Sequence, residues 1–135
     1  MRGPFALISI RGVERRPASS FEPEDGRLAG TKFPAALRAG HSAVVRIAEP
    51  DQAHAALLVR AATREARSLR EGDVAVRYVP CRPDTPRFGG RGSVGPTTGW
   101  AGALIVTGPR CVTLELTVDG RRRRDVRLRL GARCR

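Results

Sequence analysis

Residues 100–130 read W-A-G-A-L-I-V-T, then G-P, then R-C-V-T-L-E-L-T-V, then D-G, then R-R-R-R-D-V-R-L-R-L. Three apolar stretches are thus separated by two turn signals, Gly108-Pro109 and Asp119-Gly120. The middle stretch alternates, because its apolar residues occupy every second position: Val112, Leu114, Leu116 and Val118. A period of two is typical of a half-buried antiparallel strand, so this region predicts a three-stranded meander.

The register of the last hairpin raises a difficulty. A two-residue Asp119-Gly120 loop would pair Val118 with Arg121 and would put Leu114 and Val126 on opposite faces of the sheet. A shift of one residue moves every side chain to the other face. We therefore expect a three- or five-residue connection, or a bulge with Gly120 at positive φ.

The remaining chain also predicts strands, around residues 4–10, 32–37, 41–47 and 74–80. Residues 51–70 fit either a helix capped by Asp51 or one helical turn followed by a strand at residues 56–60, and we favour the strand. We expect one domain over residues 1–135. Its fold class is all-β, an antiparallel sandwich of about seven strands with Ig-like or related topology, with one short helix within 51–70 as the exception and exposed loops at 11–30 and 82–99.

The amino-acid composition limits what the core can be made of and where in the cell the protein can be located. Apolar residues make up 41% of the 135 positions, and aromatic residues only 4%, so the core must be aliphatic. No apolar run approaches the ~18 residues of a membrane helix, and residues 5–10 are too short for an export signal. The chain would be cytoplasmic, or its export segment would have been removed.

The net charge is +12, and half of it lies in residues 108–135, which hold nine arginines and three acids.

Three cysteines leave at least one unpaired in a monomer. Cys111 starts the strand that runs to the Asp119-Gly120 turn, and Cys134 follows the strand that returns from it. Both cysteines should lie at the same end of the hairpin. We therefore predict a Cys111–Cys134 disulfide with Cys81 free, against the alternative of three reduced cysteines. A disulfide would favour an extracytoplasmic location.

The arginine run is the first candidate binding site. It could hold phosphate-rich polymers or nucleic acid by charge through six residues, Arg121, Arg122, Arg123, Arg124, Arg127 and Arg129. No stacking aromatic residue or groove-reading helix accompanies the run, so specific nucleic-acid recognition is not indicated. A solvated hairpin tip is the competing interpretation.

The second candidate is the glycine-rich loop, where residues 90–95 satisfy G-x-G-x-x-G. The dinucleotide motif needs a helix after the glycines, but Pro96 and a strand follow here. We interpret the loop as a pocket rim closed against the sandwich, formed by Phe88, Gly90, Gly92, Gly95 and Trp100.

Catalytic and metal-binding patterns are weak. The two histidines, His41 and His54, could pair with Cys81 near Asp84, yet no spacing brings them together. No catalytic motif and no metal-ligand spacing is present, so we expect no catalytic residues, no metal and no cofactor.

One longer pattern runs through the three cysteines: C-x-P-D-T-P-R-F-G-G-R-G-S-V-G-P-T-T-G-W-A-G-A-L-I-V, then P-R-C-V-T-L-E-L-T-V-D-G, then L-G-A-R-C. It resembles an uncharacterised family of actinobacterial proteins that are exported or membrane-tethered small β domains. The resemblance covers residues 74–134 well, and the three cysteines fall at the family's cysteine positions. It implies a strand at residues 57–59. The apolar export segment usual in that family is not seen in this chain.

These observations favour a non-catalytic extracytoplasmic or membrane-tethered module, binding or structural, whose specificity and partner the sequence does not identify; the cell envelope and an anionic polymer are the candidate partners. Two alternatives remain open. One is a module that binds anionic polymer through the arginine hairpin. The other is a small enzyme or ligand carrier that uses the 82–99 loop as a pocket rim. Cytoplasmic location is the alternative to export.

Overall fold

A computed structural model describes residues 3–59, 66–86 and 95–135. Within them the strands are β1 Phe5–Leu7, β2 Ala29–Lys32, β3 Ala35–Arg38, β4 Ala43–Ile47, β5 Ala55–Leu58, β6 Ala75–Tyr78, β7 Thr97–Trp100, β8 Ala103–Val106, β9 Arg110–Val118, β10 Arg121–Arg122 and β11 Val126–Leu130. The helical segments are short: α1 Ile10–Glu14 and three 3₁₀ turns at Ala18–Phe21, Glu49–Asp51 and Leu69–Glu71. The all-β prediction is confirmed.

The strands form three antiparallel sheets, of which two continue each other. The sheet β1-β3-β7 and the sheet β2-β8-β5 share one register, because Lys32 pairs with Ala103 and Ala35 with Trp100. Phe33 N donates a hydrogen bond of 2.7 Å to Gly102 O across the break. Pro34, which lacks an N–H, lies at this interruption. The two sheets therefore make one bent layer, which we call the first sheet.

The opposite layer, which we call the second sheet, has the order β10-β9-β4-β6, with β11 also pairing β9. The two layers follow the immunoglobulin order A-B-E-D against G-F-C-C′ with one change. β5 takes the D position beside β8, and β6 takes the C′ position beside β4. In the immunoglobulin fold C′ precedes D in the chain, whereas here the strand at D comes first. The topology is related to the Ig-like one.

The core lies between the layers and is mainly aliphatic. Its fully buried side chains come from both sheets and include Leu37, Val45, Ile47, Leu57, Leu104, Val112, Leu114, Leu128 and Leu130. The alternation predicted for β9 and β11 holds, since the apolar residues of both strands are buried or half-buried on one side, whereas the threonines and Glu115 of β9 and Arg127 and Arg129 of β11 lie on the other side. A second, small cluster of Ala56, Ala66 and Ile105 covers the outer side of the first sheet.

Within the region 51–70 the structure has the strand, β5 Ala55–Leu58, rather than a helix that starts at Asp51; the predicted end of the strand at residue 60 lies outside the described residues. Residues 55–57 are buried, because Leu57 enters the main core and Ala56 packs in the small outer cluster. Asp51 does not cap a helix of that length. Its buried carboxylate accepts hydrogen bonds from Thr113 N at 2.8 Å and from Arg110 Nη2 at 3.3 Å, and so anchors β9.

The prediction of an exposed loop at 11–30 is wrong in part. Val13 of α1 and Phe21 of the 3₁₀ turn are buried in the main core, and β2 begins at Ala29. This segment is held to the core by isolated apolar side chains. Such side chains do not produce the regular apolar spacing that indicates a strand or a helix in a sequence. The predicted loop 82–99 ends earlier than expected, because β7 begins at Thr97.

The sequence correctly indicates a shift of register in this hairpin, but the predicted location of the shift, within the turn, is wrong. The connection has two residues, Asp119 at φ 51° and Gly120 at φ 75°, as a type I′ turn requires. The expected odd-length connection is therefore wrong, while the positive φ of Gly120 is confirmed. The shift of register occurs later. Arg122 pairs with Thr117 and Val126 with Leu114, so three residues, 123–125, oppose two residues of β9. This bulge restores the inward direction of the β11 leucines.

Candidate functional site

Arg122 closes this bulge with its guanidinium. Nη1 lies 3.0 Å from Glu115 Oε2 on β9, and Nη2 donates a 2.8 Å hydrogen bond to Asp125 Oδ1. The hydrogen bond to Asp125, together with the negative charges of Asp125 and Glu115, raises the pKa of Arg122. One arginine of the run therefore has a structural role, and its charge is largely compensated.

The other outward arginines of the second sheet share its solvent-facing side. Four rows can be followed through the register: Arg122–Thr117–Val44–Arg77, Glu115–Arg46–Ala75, Arg127–Thr113 and Arg129–Cys111. We call this surface the basic face and define it by five exposed residues: Arg46, Arg77, Arg122, Arg127 and Arg129.

Arg46 and Arg77 were not among the residues that the sequence singled out. Alternation in H-S-A-V-V-R-I and V-A-V-R-Y-V does predict that both point away from the core. What the sequence lacked was the strand order, which places β4 beside β9 of the arginine hairpin and β6 beside β4. Within the described parts of the chain, neither arginine has an ion pair.

Acidic side chains offset part of the basic face. Glu14 on α1 accepts a 3.1 Å hydrogen bond from Arg129 N and lies 3.6 Å from Arg129 Nε. Glu115 sits between Arg122 and Arg46 in the register. Arg127 donates to the main-chain oxygen of Arg135. Arg46 and Arg77 are therefore the cations of the face for which the ranges described show neither a carboxylate nor a main-chain acceptor.

The tip of the hairpin is tied to the turn before β4. Asp119 accepts from Ser42 N at 2.9 Å, and its other carboxylate oxygen lies 2.6 Å from His41 Nδ1. The hydrogen bond with His41 is the main reason that the pKa of Asp119 is lowered, and the Ser42 amide adds to it. Arg121, Arg123 and Arg124 of the hairpin are exposed.

The cysteines are placed as predicted. Cys111 and Cys134 form a disulfide with a Cα–Cα distance of 5.1 Å, and Cys81 is an exposed free thiol. The Cys81 amide donates to Thr98 Oγ1 at 2.9 Å.

The candidate catalytic groups are dispersed. His41 contacts Asp119, whereas His54 Nδ1 lies 3.4 Å from Thr107 Oγ1. Neither histidine is hydrogen-bonded to Cys81 in the described ranges. Over those same ranges, no three His, Cys, Asp or Glu side chains are grouped as metal ligands.

The pocket-rim prediction can be followed at only two of its residues, because Phe88, Gly90 and Gly92 lie outside the described residues. Gly95 adopts φ 70° and donates to Pro83 O at 3.2 Å. Trp100 meets Tyr78 edge to face with ring centroids 5.1 Å apart, and Tyr78 meets Phe5 at 5.5 Å. Burial raises the pKa of the Tyr78 phenol. Trp100 thus belongs to an aromatic cluster of the sandwich.

Comparison with protein-family models, with curated proteins and with solved structures found no match to this chain. Among residues 3–59, 66–86 and 95–135, none of the helices has the length and apolar character needed to cross a bilayer.

Proposed function

We propose that this chain is a non-catalytic extracytoplasmic binding module that holds an anionic polymer on its basic face. The observation that carries the proposal is the convergence of Arg46 and Arg77 with three of the hairpin arginines on one side of one sheet. Clustered cations on a surface raise the local concentration of a polyanion and release its counterions on binding.

The dimensions of the basic face suit an extended ligand. Arg77 and Arg122 end the same row and are separated by three strand spacings of ~4.8 Å, or ~14 Å in all. Arg127 and Arg129 extend the face along β11 for a further two to three rows. Several charged units of a linear polymer can therefore contact the face at the same time.

The chemistry of the face favours recognition by charge alone. The described aromatic side chains lie in the core or in the Phe5–Tyr78–Trp100 cluster, and none lies on the basic face. Single-stranded nucleic acids are usually held by stacking on such rings. A phosphate- or sulfate-rich polymer without bases is the better fit.

The Cys111–Cys134 disulfide supports the extracytoplasmic location, since disulfides persist in oxidising compartments. The resemblance to exported actinobacterial β domains that we infer from the sequence pattern of residues 74–134 would imply the same location.

Binding of linear polyphosphate, followed by calorimetric titration at several salt concentrations, tests the proposal. Replacing Arg46 and Arg77 by glutamine should weaken binding roughly 5- to 20-fold at 50 mM salt. The slope of log affinity against log salt should become shallower by about 1.4–1.8, because each lost contact removes about 0.7–0.9.

The matched control is the double variant Arg38→Gln and Arg70→Gln, which removes the same charge from two exposed positions outside the second sheet, on β3 and on the 3₁₀ turn Leu69–Glu71. It should leave the slope unchanged. Equal losses in the two double variants would show that net charge, rather than the basic face, determines affinity. An oligonucleotide of equal charge that binds far more tightly than polyphosphate would also refute the proposal.

A further inference from the structure

The segment that follows β11 turns back onto the molecule. Gly131 adopts φ +71°, a conformation that side chains disfavour. A Cβ at this position would lie 2.6 Å from Ala18 Cα, so glycine is also required by the close packing on the 3₁₀ turn Ala18–Phe21. We call residues 131–135 the returning segment.

The disulfide holds the returning segment on the side of the sheet that carries the basic face. Cys111 precedes the inward Val112 on β9 and therefore points outward, and it pairs directly with Arg129 of β11. Its bond to Cys134 draws the segment to this end of the face. Cys134 Sγ also lies 3.7 Å from Leu128 O on β11.

The returning segment brings two further cations. Arg133 and Arg135 are exposed, and no acidic residue occurs between 131 and 135. The main-chain oxygen of Arg135 accepts a hydrogen bond from Arg127 Nη2. This contact places the segment beside an arginine of the basic face and orients the Arg127 guanidinium at the same time.

From this geometry we infer that Arg133 and Arg135 form a second anion-binding strip, which the Cys111–Cys134 disulfide positions next to the basic face. The inference rests on the proposed function and names the same ligand class, a phosphate-rich linear polymer. A positioned segment binds more tightly than a free one, because its ordering entropy is lost on folding rather than on binding.

The test uses the full oxidised chain and linear polyphosphate as the probe. Arg133→Gln with Arg135→Gln should weaken binding several-fold at 50 mM salt and reduce the salt slope by about 1.4–1.8, since two ionic contacts are lost. The control Arg38→Gln with Arg70→Gln should keep the slope. A change in stability alone would not alter the number of counterions released.

The positioning role of the disulfide is tested by Cys111→Ser with Cys134→Ser, which keeps both arginines. We expect affinity to fall about 3- to 10-fold, while Cys81→Ser binds like the original chain. Circular dichroism shows whether the double-serine variant is folded. If it does not fold, the arginine variants and their salt slope still decide whether the strip exists.

Each outcome has a distinct meaning. If the original chain binds polyphosphate and the Arg133/Arg135 variant binds equally well with the same slope, the inference is overturned and the proposed function stands. If that variant is weakened but a folded double-serine variant is not, the role assigned to the disulfide is overturned. If the original chain does not bind at all, the proposed function and the inference both fall.

Discussion

Removal of the Cys111–Cys134 disulfide should lower the free energy of unfolding by about 3 kcal/mol. The two cysteines are 23 residues apart in the chain. Closing a loop of n residues changes the entropy of the unfolded chain by about −2.1 − 1.5R ln n cal/mol/K. For a loop of this length the loss is about 11 cal/mol/K, which corresponds to ~3.4 kcal/mol at 25 °C. The disulfide lowers the conformational entropy of the unfolded chain by this amount. Its removal therefore acts mainly by making the unfolded state more favourable.

Urea denaturation followed by circular dichroism measures this effect on the variant Cys111→Ala with Cys134→Ala. With a denaturant slope of about 1–3 kcal/mol/M, the unfolding midpoint should move down by roughly 1–3 M urea. The control is Cys81→Ala, because Cys81 is exposed and unpaired with another cysteine. Its midpoint should not move measurably.

A loss below about 1 kcal/mol in the double variant would refute this reasoning. It would mean that the two ends of the hairpin stay close in the unfolded chain without the bond, so that the disulfide restricts little. A similar loss in Cys81→Ala would also refute it, because the effect could not then be assigned to loop closure.

Three further predictions follow from the sheet and its turns. Leu114→Ala should cost about 2–5 kcal/mol, since Leu114 is fully buried, while Thr117→Ala on the outer face of the same strand should cost less than ~0.5; equal midpoints in urea would contradict the alternation. Gly131→Ala should lower stability by ~1–3 kcal/mol through its positive φ and the approach of Ala18, and an unchanged melting temperature would show that neither constraint operates. Asp119→Asn should be destabilised at pH 6 but converge with the original chain as pH falls below about 4, because a carboxyl with a lowered pKa stabilises the fold only while it is ionised. A difference between the two proteins that does not diminish at all as pH falls from 6 to 2 would mean that the charge of Asp119 does not cause it.

The orientation of the arginine hairpin shows what a local pattern can determine. The alternation in β9 and β11 indicates which side chains are buried, and the mismatch across Asp119-Gly120 shows that a residue must be accommodated somewhere. Its position was not determined by the pattern. The two-residue turn is retained because Asp119 and Gly120 both adopt positive φ, and Asp119 is also held by Ser42 and His41. The extra residue is instead taken up at 123–125, where Arg122 can bridge Glu115 and Asp125.

The amino-acid sequence alone determined the all-β class, the inward faces of the C-terminal strands and the pairing of Cys111 with Cys134. These properties depend on neighbours one or two positions apart, or on the direction of two adjacent strands. Only the tertiary structure decided that β4 lies beside β9 and β6 beside β4, that Phe21 enters the core, and that Arg46 and Arg77 share one face with three of the hairpin arginines. Such contacts join residues about 30 to 110 positions apart, and they are selected by packing of the whole core rather than by any local preference.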